Sequence, residues 1–192
     1  MKLRGAIFDM DGTVVDVPYD WKQIKEELMT QGKPILSHIQ SLSEPEKSAK
    51  RNILETYEQE ATQKAVLKPG MSDFLRFVKV RGLKTALVTN NSRKNVEYIL
   101  KKFSLNFDFV LSREKGLWKP SGAPFSAVLK ALDLRTEECC VIGDTNFDIE
   151  AAREVGIDRL FILNEDKEKF AGTQARIFAS VQDLRKYIEP LL

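Results

Sequence analysis

Cysteine is scarce in this chain of 192 residues, and the two that occur, Cys139 and Cys140, are adjacent. Neighbouring cysteines make neither a disulfide framework nor a metal-ligand spacing. Their place in the apolar run Cys139-Cys140-Val141-Ile142 marks them as buried strand residues. Long hydrophobic runs are also missing. None approaches the roughly 18 apolar residues of a membrane span, and the stretch behind Lys2 and Arg4 is too short for a signal peptide. Charge of one sign is not in excess either, since 30 Lys and Arg against 28 Asp and Glu leave +2. That excludes the broad basic field expected of a partner for nucleic acid or anionic membrane. The expected location is a reducing cytoplasm. A chain of this length suits one domain, or one domain with a small insertion, and buries a core without disulfides or structural metal.

What is present is a regular alternation. Leu3 to Phe8 reads as a strand. From Val17 to Lys68 the chain is charged and helical. Trp21, Ile24 and Leu28 form one stripe, and Ile35, Leu36, Ile39 and Leu42 a second. Ala49, Ile53, Tyr57 and Ala61 mark a longer helix. Gly32 with Pro34, and Pro69-Gly70, punctuate the segment. Beyond it, short apolar strands at 85–89, 107–111, 139–142 and 159–163 alternate with amphipathic helices. Ser92 and Ser180 are candidate helix caps. Such alternation predicts βαβ units and a parallel sheet with helices on both faces. The expected boundaries are a core of residues 1–16 and 69–192, and a helical insert of residues 17–68. In such sheets ligands bind beyond the carboxyl ends of the strands.

The residues at those ends carry chemistry. The first strand runs into Asp9-Met10-Asp11-Gly12-Thr13. In an extended segment residues i and i+2 share a side, so Asp9 and Asp11 would face one site, where two carboxylates favour a hard cation such as Mg2+. The pattern is not a calcium loop, because no bidentate glutamate follows. The second strand ends in Thr89-Asn90-Asn91 before a helix N-terminus, which suits either phosphate binding or helix capping. Trp118-Lys119-Pro120 follows the third strand and brings one positive charge. The fourth strand ends in Gly143-Asp144, with Asp148 one helical turn on and able to return to the same face. Phosphoryl transfer needs such a set: carboxylates for metal and nucleophile, and cationic and polar groups around the moving phosphoryl.

Taken in order, these four motifs resemble those of the haloacid dehalogenase superfamily, in its phosphatase branch, and most of all phosphoglycolate phosphatase-like members. The resemblance spans nearly the whole chain. It implies a Rossmann-like α/β core with strand order 5-4-1-2-3 and a helical cap inserted after strand 1. It implies Asp9 as nucleophile, Asp11 as general acid and base, and Mg2+ on Asp9, the Asp11 carbonyl and Asp144, with Asp148 nearby or directly bound. Thr89 and Asn90 would bind phosphate, and Lys119 would stabilise the nucleophile and the transferring group. The acid at position 11 argues against halide chemistry. The insert is shorter than the usual cap of such phosphatases. Its loop Gln31-Gly32-Lys33-Pro34 resembles the place where these caps reach the substrate, which makes Lys33 a candidate contact; Arg93 and Lys115 are others. The expected activity is a Mg2+-dependent phosphatase for a small phosphomonoester, in a monomer or homodimer. The alternatives are a phosphomutase on the same scaffold and a phospho-receiver module, which the acids after the fourth strand and the helical insert disfavour.

Overall fold

The computed structural model describes residues 2–192. It divides into two compact units, one formed by the chain up to Asp16 together with Val66–Leu192, the other by Val17–Ala65. No helix among the described residues is long and apolar enough to cross a membrane.

The larger unit is built on a parallel sheet. Its strands are β1 (Gly5–Phe8), β4 (Lys84–Val88), β5 (Phe109–Leu111), β6 (Cys139–Gly143), β7 (Leu160–Leu163) and β8 (Arg176–Phe178). They lie in the order β5-β4-β1-β6-β7-β8. The five strands expected from the sequence take the expected order, and β8 adds an edge. Arg176-Ile177-Phe178 is too short for its periodicity to show, and one of its three residues is an exposed arginine. A two-stranded antiparallel ribbon, β2 (Val15–Asp16) with β3 (Val66–Leu67), was also not foreseen. It shortens the helical stretch to Val17–Ala65, and a Lys68–Asp16 ion pair of 2.7 Å closes its end.

β1 lies between β4 and β6 with every residue buried. Successive side chains go to opposite faces of the sheet. Ile7 joins the cluster that contains Phe125, Val128, Val141, Ile149 and Ile162. Phe8 stacks edge-on against Phe74 and Phe107 at 6.0 and 5.8 Å between ring centres. The helices that cover the sheet are α4 (Met71–Val80), α5 (Arg93–Lys102), α6 (Ala123–Leu132), α7 (Asn146–Glu154) and α8 (Val181–Ile188). Ser92 and Ser180 cap α5 and α8 by accepting from Asn95 and Asp183 N–H groups. Cys139 and Cys140 are buried free thiols, and burial pushes Cys139 up to about 11.

The helical unit holds α1 (Trp21–Glu27), α2 (Ile35–Gln40) and α3 (Glu46–Gln63) around Ile24, Leu28, Ile39 and Leu54. Of the expected 49-53-57-61 series of α3, Ala61 is buried and Ile53 and Tyr57 pack against this cluster, whereas Ala49 is exposed and the most buried stripe lies one residue further on. It carries Lys50, Leu54, Glu58, Ala61 and Thr62. Two charged residues thus occupy the inner face, and hydropathy alone assigns them outward. Lys50 lays its aliphatic stem inward and donates from Nζ to the Leu28 carbonyl at 2.5 Å.

Glu138 joins the starts of two strands. Its carboxylate accepts from the Arg135 N–H at 2.9 Å, and from the Arg135 and Arg4 guanidiniums at 3.3 and 2.9 Å. The Arg135 backbone bond, then the two guanidiniums, hold its carboxyl down to about 2. A depressed carboxyl stabilises the fold fully above its unfolded value and loses that contribution as pH falls through the folded one. Glu138→Gln is therefore expected to lower Tm at pH 7, with the gap to wild type closing between about pH 4.5 and pH 2. Acid titration of both proteins by circular dichroism checks this; a gap independent of pH would contradict it.

Candidate active site

The carboxyl ends of β1, β4 and β6 converge on one cluster. Backbone N–H groups of Thr13, Val14 and Val15 all turn back to the Met10 carbonyl, at 3.3, 2.9 and 3.0 Å. The extended geometry of β1 ends there. Asp9 and Asp11 stay close enough to repel each other, and their carboxylates take different partners.

Asp9 faces the end of β6. Its Oδ1 lies 2.7 Å from the Lys119 ammonium, which also lies 2.6 Å from Asp148 Oδ1. All three side chains are almost wholly buried. Asp148 uses its other oxygen to accept from the Thr145 hydroxyl at 2.8 Å, from the Thr145 N–H at 3.1 Å and from the Asp144 N–H at 3.3 Å. It closes a Thr-x-x-Asp capping box as the third residue of α7. Thr13 donates its hydroxyl to Asp144 at 3.3 Å. Glycine is required at two places here. A Cβ at Gly12, whose φ is +81°, would overlap the Asp144 carboxylate, and a Cβ at Gly143 would overlap that of Asp148.

The electrostatics are those of a site short of positive charge. Burial, outweighing the help of Lys119 and reinforced by Asp148, Asp144 and Asp11, lifts the Asp9 carboxyl well above its usual range. Burial, then Asp148, pushes Asp144 up to about 7. Burial acts against the charged form of Lys119, but Asp148 and Asp9 overcome it and raise its value. Ligand oxygens of Asp9, Asp144 and Asp148 lie within 4.8 Å of one another. An all-oxygen donor set with excess negative charge fits a hard divalent cation such as Mg2+ better than a softer metal.

Asp11 faces the end of β4. Its Oδ2 accepts from the Thr89 hydroxyl at 3.3 Å, and both its oxygens accept from the Asn91 amide, at 3.1 and 3.2 Å. Asn90 behaves differently from the expectation that its side chain binds phosphate. Its amide makes a two-way pair with the backbone of Lys119, donating to the carbonyl and accepting from the N–H, each at 2.8 Å. It thus fastens the β4 loop to the lysine loop. Lys33 lies on an exposed turn of the helical unit. Arg93 and Lys115 are exposed, with Arg93 paired to Glu97 at 2.7 Å. An open cleft of about 580 Å³ adjoins Gly12 and Asp144, with Lys68, Asn164, Ser180 and Gln182 on its walls.

Sequence reasoning missed three contributors. Thr13 and Asn91 stood inside the quoted motifs, but only the folded chain shows their bonds to Asp144 and Asp11. Asn164, which donates to the Asp144 carbonyl at 3.4 Å, arrives from the end of β7 with no local signal.

Residues 6–162 match the sequence profile of the haloacid dehalogenase-like hydrolases. A haloacid dehalogenase-like hydrolase domain-containing protein of Arabidopsis thaliana is 28% identical over 81% of this chain and 69% of its own length. A phosphorylated carbohydrates phosphatase of Thermotoga maritima is 25% identical over 83% and 84%. The fold is that of a hydrolase from Pseudomonas syringae, at a TM-score of 0.81 with 19% identity, over 97% of this chain and 98% of the other.

The charge deficit generates a prediction. An ionised carboxylate whose folded value is raised costs stability, so removing it should help the metal-free fold. Without divalent cation, Asp144→Asn is expected to raise Tm by about 4 °C, equivalent to roughly 1–2 kcal/mol for a chain of this size. The same substitution should abolish the rise in Tm that Mg2+ gives the wild type. Thermal scans with Mg2+ and with EDTA check both. A wild-type Tm indifferent to Mg2+ would contradict the reading of the cluster as a cation site. With four strand-end motifs in sequence, an acidic cluster beyond a parallel sheet and a profile match over most of its length, the chain belongs to the haloacid dehalogenase-like hydrolase family.

Proposed function

We propose that the chain is a Mg2+-dependent phosphatase that hydrolyses a small phosphomonoester through an aspartyl-phosphate on Asp9. The observation that supports this most is the buried Lys119 ammonium held between Asp9 and Asp148 at 2.7 and 2.6 Å. A carboxylate so oriented presents its other oxygen as an in-line nucleophile, and the ammonium offsets charge on the transferring group.

In this reading an Asp9 oxygen attacks phosphorus while the ester P–O bond breaks, and the Asp11 carboxyl gives its proton to the departing oxygen. The alcohol leaves. Asp11, now a carboxylate, takes a proton from water as the water oxygen attacks phosphorus. The bond to Asp9 breaks, inorganic phosphate departs, and both side chains return to their starting states. Thr89 and the backbone of Asn90 would hold phosphoryl oxygens. Asp9, the Asp11 carbonyl and Asp144 would bind Mg2+, which supplies charge neutralisation between nucleophile and phosphate. Asp148 already serves Lys119 and the start of α7 with both oxygens, which favours a supporting role over direct metal binding.

The helical unit Val17–Ala65 is proposed as a lid that excludes water and selects the leaving group. The chain leaves the core through β2, only a few residues after Asp11, and returns through β3, which pairs with β2. A related phosphatase for phosphorylated carbohydrates supports a small soluble substrate. The candidate catalytic side chains all come from one unit of a single chain, and the proposed protein is a cytoplasmic monomer or homodimer acting on a small molecule rather than on nucleic acid or membrane.

Two measurements check the proposal. Phosphate release from a panel of phosphomonoesters should require Mg2+, cease in EDTA and fall by about a thousandfold or more in Asp9→Asn. Release that persists in either condition would contradict it. On the preferred ester, Lys33→Ala should lower kcat/KM about tenfold, the worth of one charge-assisted contact; an unchanged value would remove Lys33 from the site.

A further inference from the structure

Asn91 is buried directly behind Asp11, and its amide is locked in one orientation. The carbonyl oxygen of that amide accepts from the Ser92 N–H at 2.7 Å and from the Asn95 amide at 2.9 Å. The nitrogen end points towards Asp11 and reaches both carboxylate oxygens. Turning the amide over would set oxygen against carboxylate oxygens and NH2 against two donors, all without water to compensate. Asn95 is itself buried, in the first turn of α5, where most polar side chains point to solvent. Asparagine is a poor helix former, and burial of its amide is costly unless its bonds are made. Its donation to Asn91 is a specific return on that cost.

We propose that Asn95 is a positioning residue that acts through Asn91 to aim the Asp11 carboxyl at the leaving-group oxygen. The inference rests on the acid and base role given to Asp11 above. The chain of bonds runs from helix α5 through Asn95 Nδ2 to Asn91 Oδ1, and from Asn91 Nδ2 to Asp11. It ties the carboxyl that must meet the departing oxygen to a rigid helix rather than to the loop that bears it. Such support is what holds a reacting group within the narrow range of distance and angle that proton transfer needs.

The test is Asn95→Asp, which replaces a donor with acceptors and should turn the Asn91 amide over, with Asn95→Leu as a variant that only deletes the donor. Two esters separate the effects. p-Nitrophenyl phosphate releases a stabilised phenolate that needs no proton, whereas an alkyl phosphate such as glycerol phosphate releases an alkoxide that does. For Asn95→Asp, the first-turnover rate of alcohol release from the alkyl ester should fall about a hundredfold, while the first-turnover burst of p-nitrophenolate stays within about twofold of wild type and the later water attack, common to both esters, slows equally for both. Asn95→Leu should show the same selectivity with a smaller loss. Equal losses in first-turnover leaving-group release from both esters, or no loss on either, would overturn the proposal. A second readout does not depend on activity: the 13C resonance of the Asp11 carboxyl should move in Asn95→Asp at unchanged global fold. Wild-type protein inactive on every ester would defeat the phosphatase reading instead, and the carboxyl resonance would then decide. Movement supports the positioning role, and a resonance that stays in place overturns it.

Discussion

One buried cation holds the site together. The Lys119 ammonium lies between Asp9 and Asp148, at the ends of neighbouring parallel strands and their following turns. Desolvated carboxylates repel strongly, and removing one partner of such a buried pair leaves an uncompensated charge that costs several kcal/mol, about 3–5 in known cases. Lys119 is therefore as much a structural requirement as a chemical one. It does not suffice for all the carboxylates present, since Asp9 and Asp144 still sit above their ordinary range. The remaining deficit of positive charge is what a divalent cation can relieve. The site spends stability on a charge imbalance that only a bound cation offsets.

The parallel sheet makes that arrangement possible. A strand buried on both faces cannot carry its carboxylates along its length, but at its carboxyl end the backbone turns and the side chains meet neighbours from adjacent strands. Gly12 and Gly143 stand where any side chain would overlap Asp144 or Asp148. The capping box of Thr145 and Asp148 starts α7 and in the same stroke aims Asp148 at Lys119. Asn90 joins the loop after β4 to the backbone of Lys119 itself. Fold and chemistry thus share the same hydrogen bonds.

The sheet order and the meeting of Asp9 and Asp144 were legible because each rests on a local signal: a buried apolar run, then a polar residue at its end; Lys119 and Asp148 lie further along the chain and were picked out by the motifs they belong to. What escaped depends on longer range or on direction. β8 is three residues long and β2 and β3 two each, below the length at which a period declares itself. The inner face of α3 takes in Ile53, Tyr57 and Ala61 as their spacing suggests, but also Lys50 and Glu58, which hydropathy assigns outward. Asp9 and Asp11 stay close, as their spacing suggests, but the partner each takes, Lys119 for one and Asn91 for the other, carries no local signal. Asn90 and Asn91 are adjacent and chemically identical, and they face Lys119 and Asp11 respectively. No property of the two letters distinguishes those fates.

The central claim is that Asp9 becomes covalently phosphorylated. The most direct measurement is rapid acid quenching of the Mg2+-loaded enzyme mixed with a slowly turned-over phosphomonoester, followed by borohydride reduction and peptide mass spectrometry. The account predicts a transient phosphoryl group, trapped as a reduced residue at position 9, that appears before free phosphate and is absent in Asp9→Asn. Full phosphate release with no modification at Asp9 at any time would contradict it, and would assign the attack on phosphorus to water from the outset.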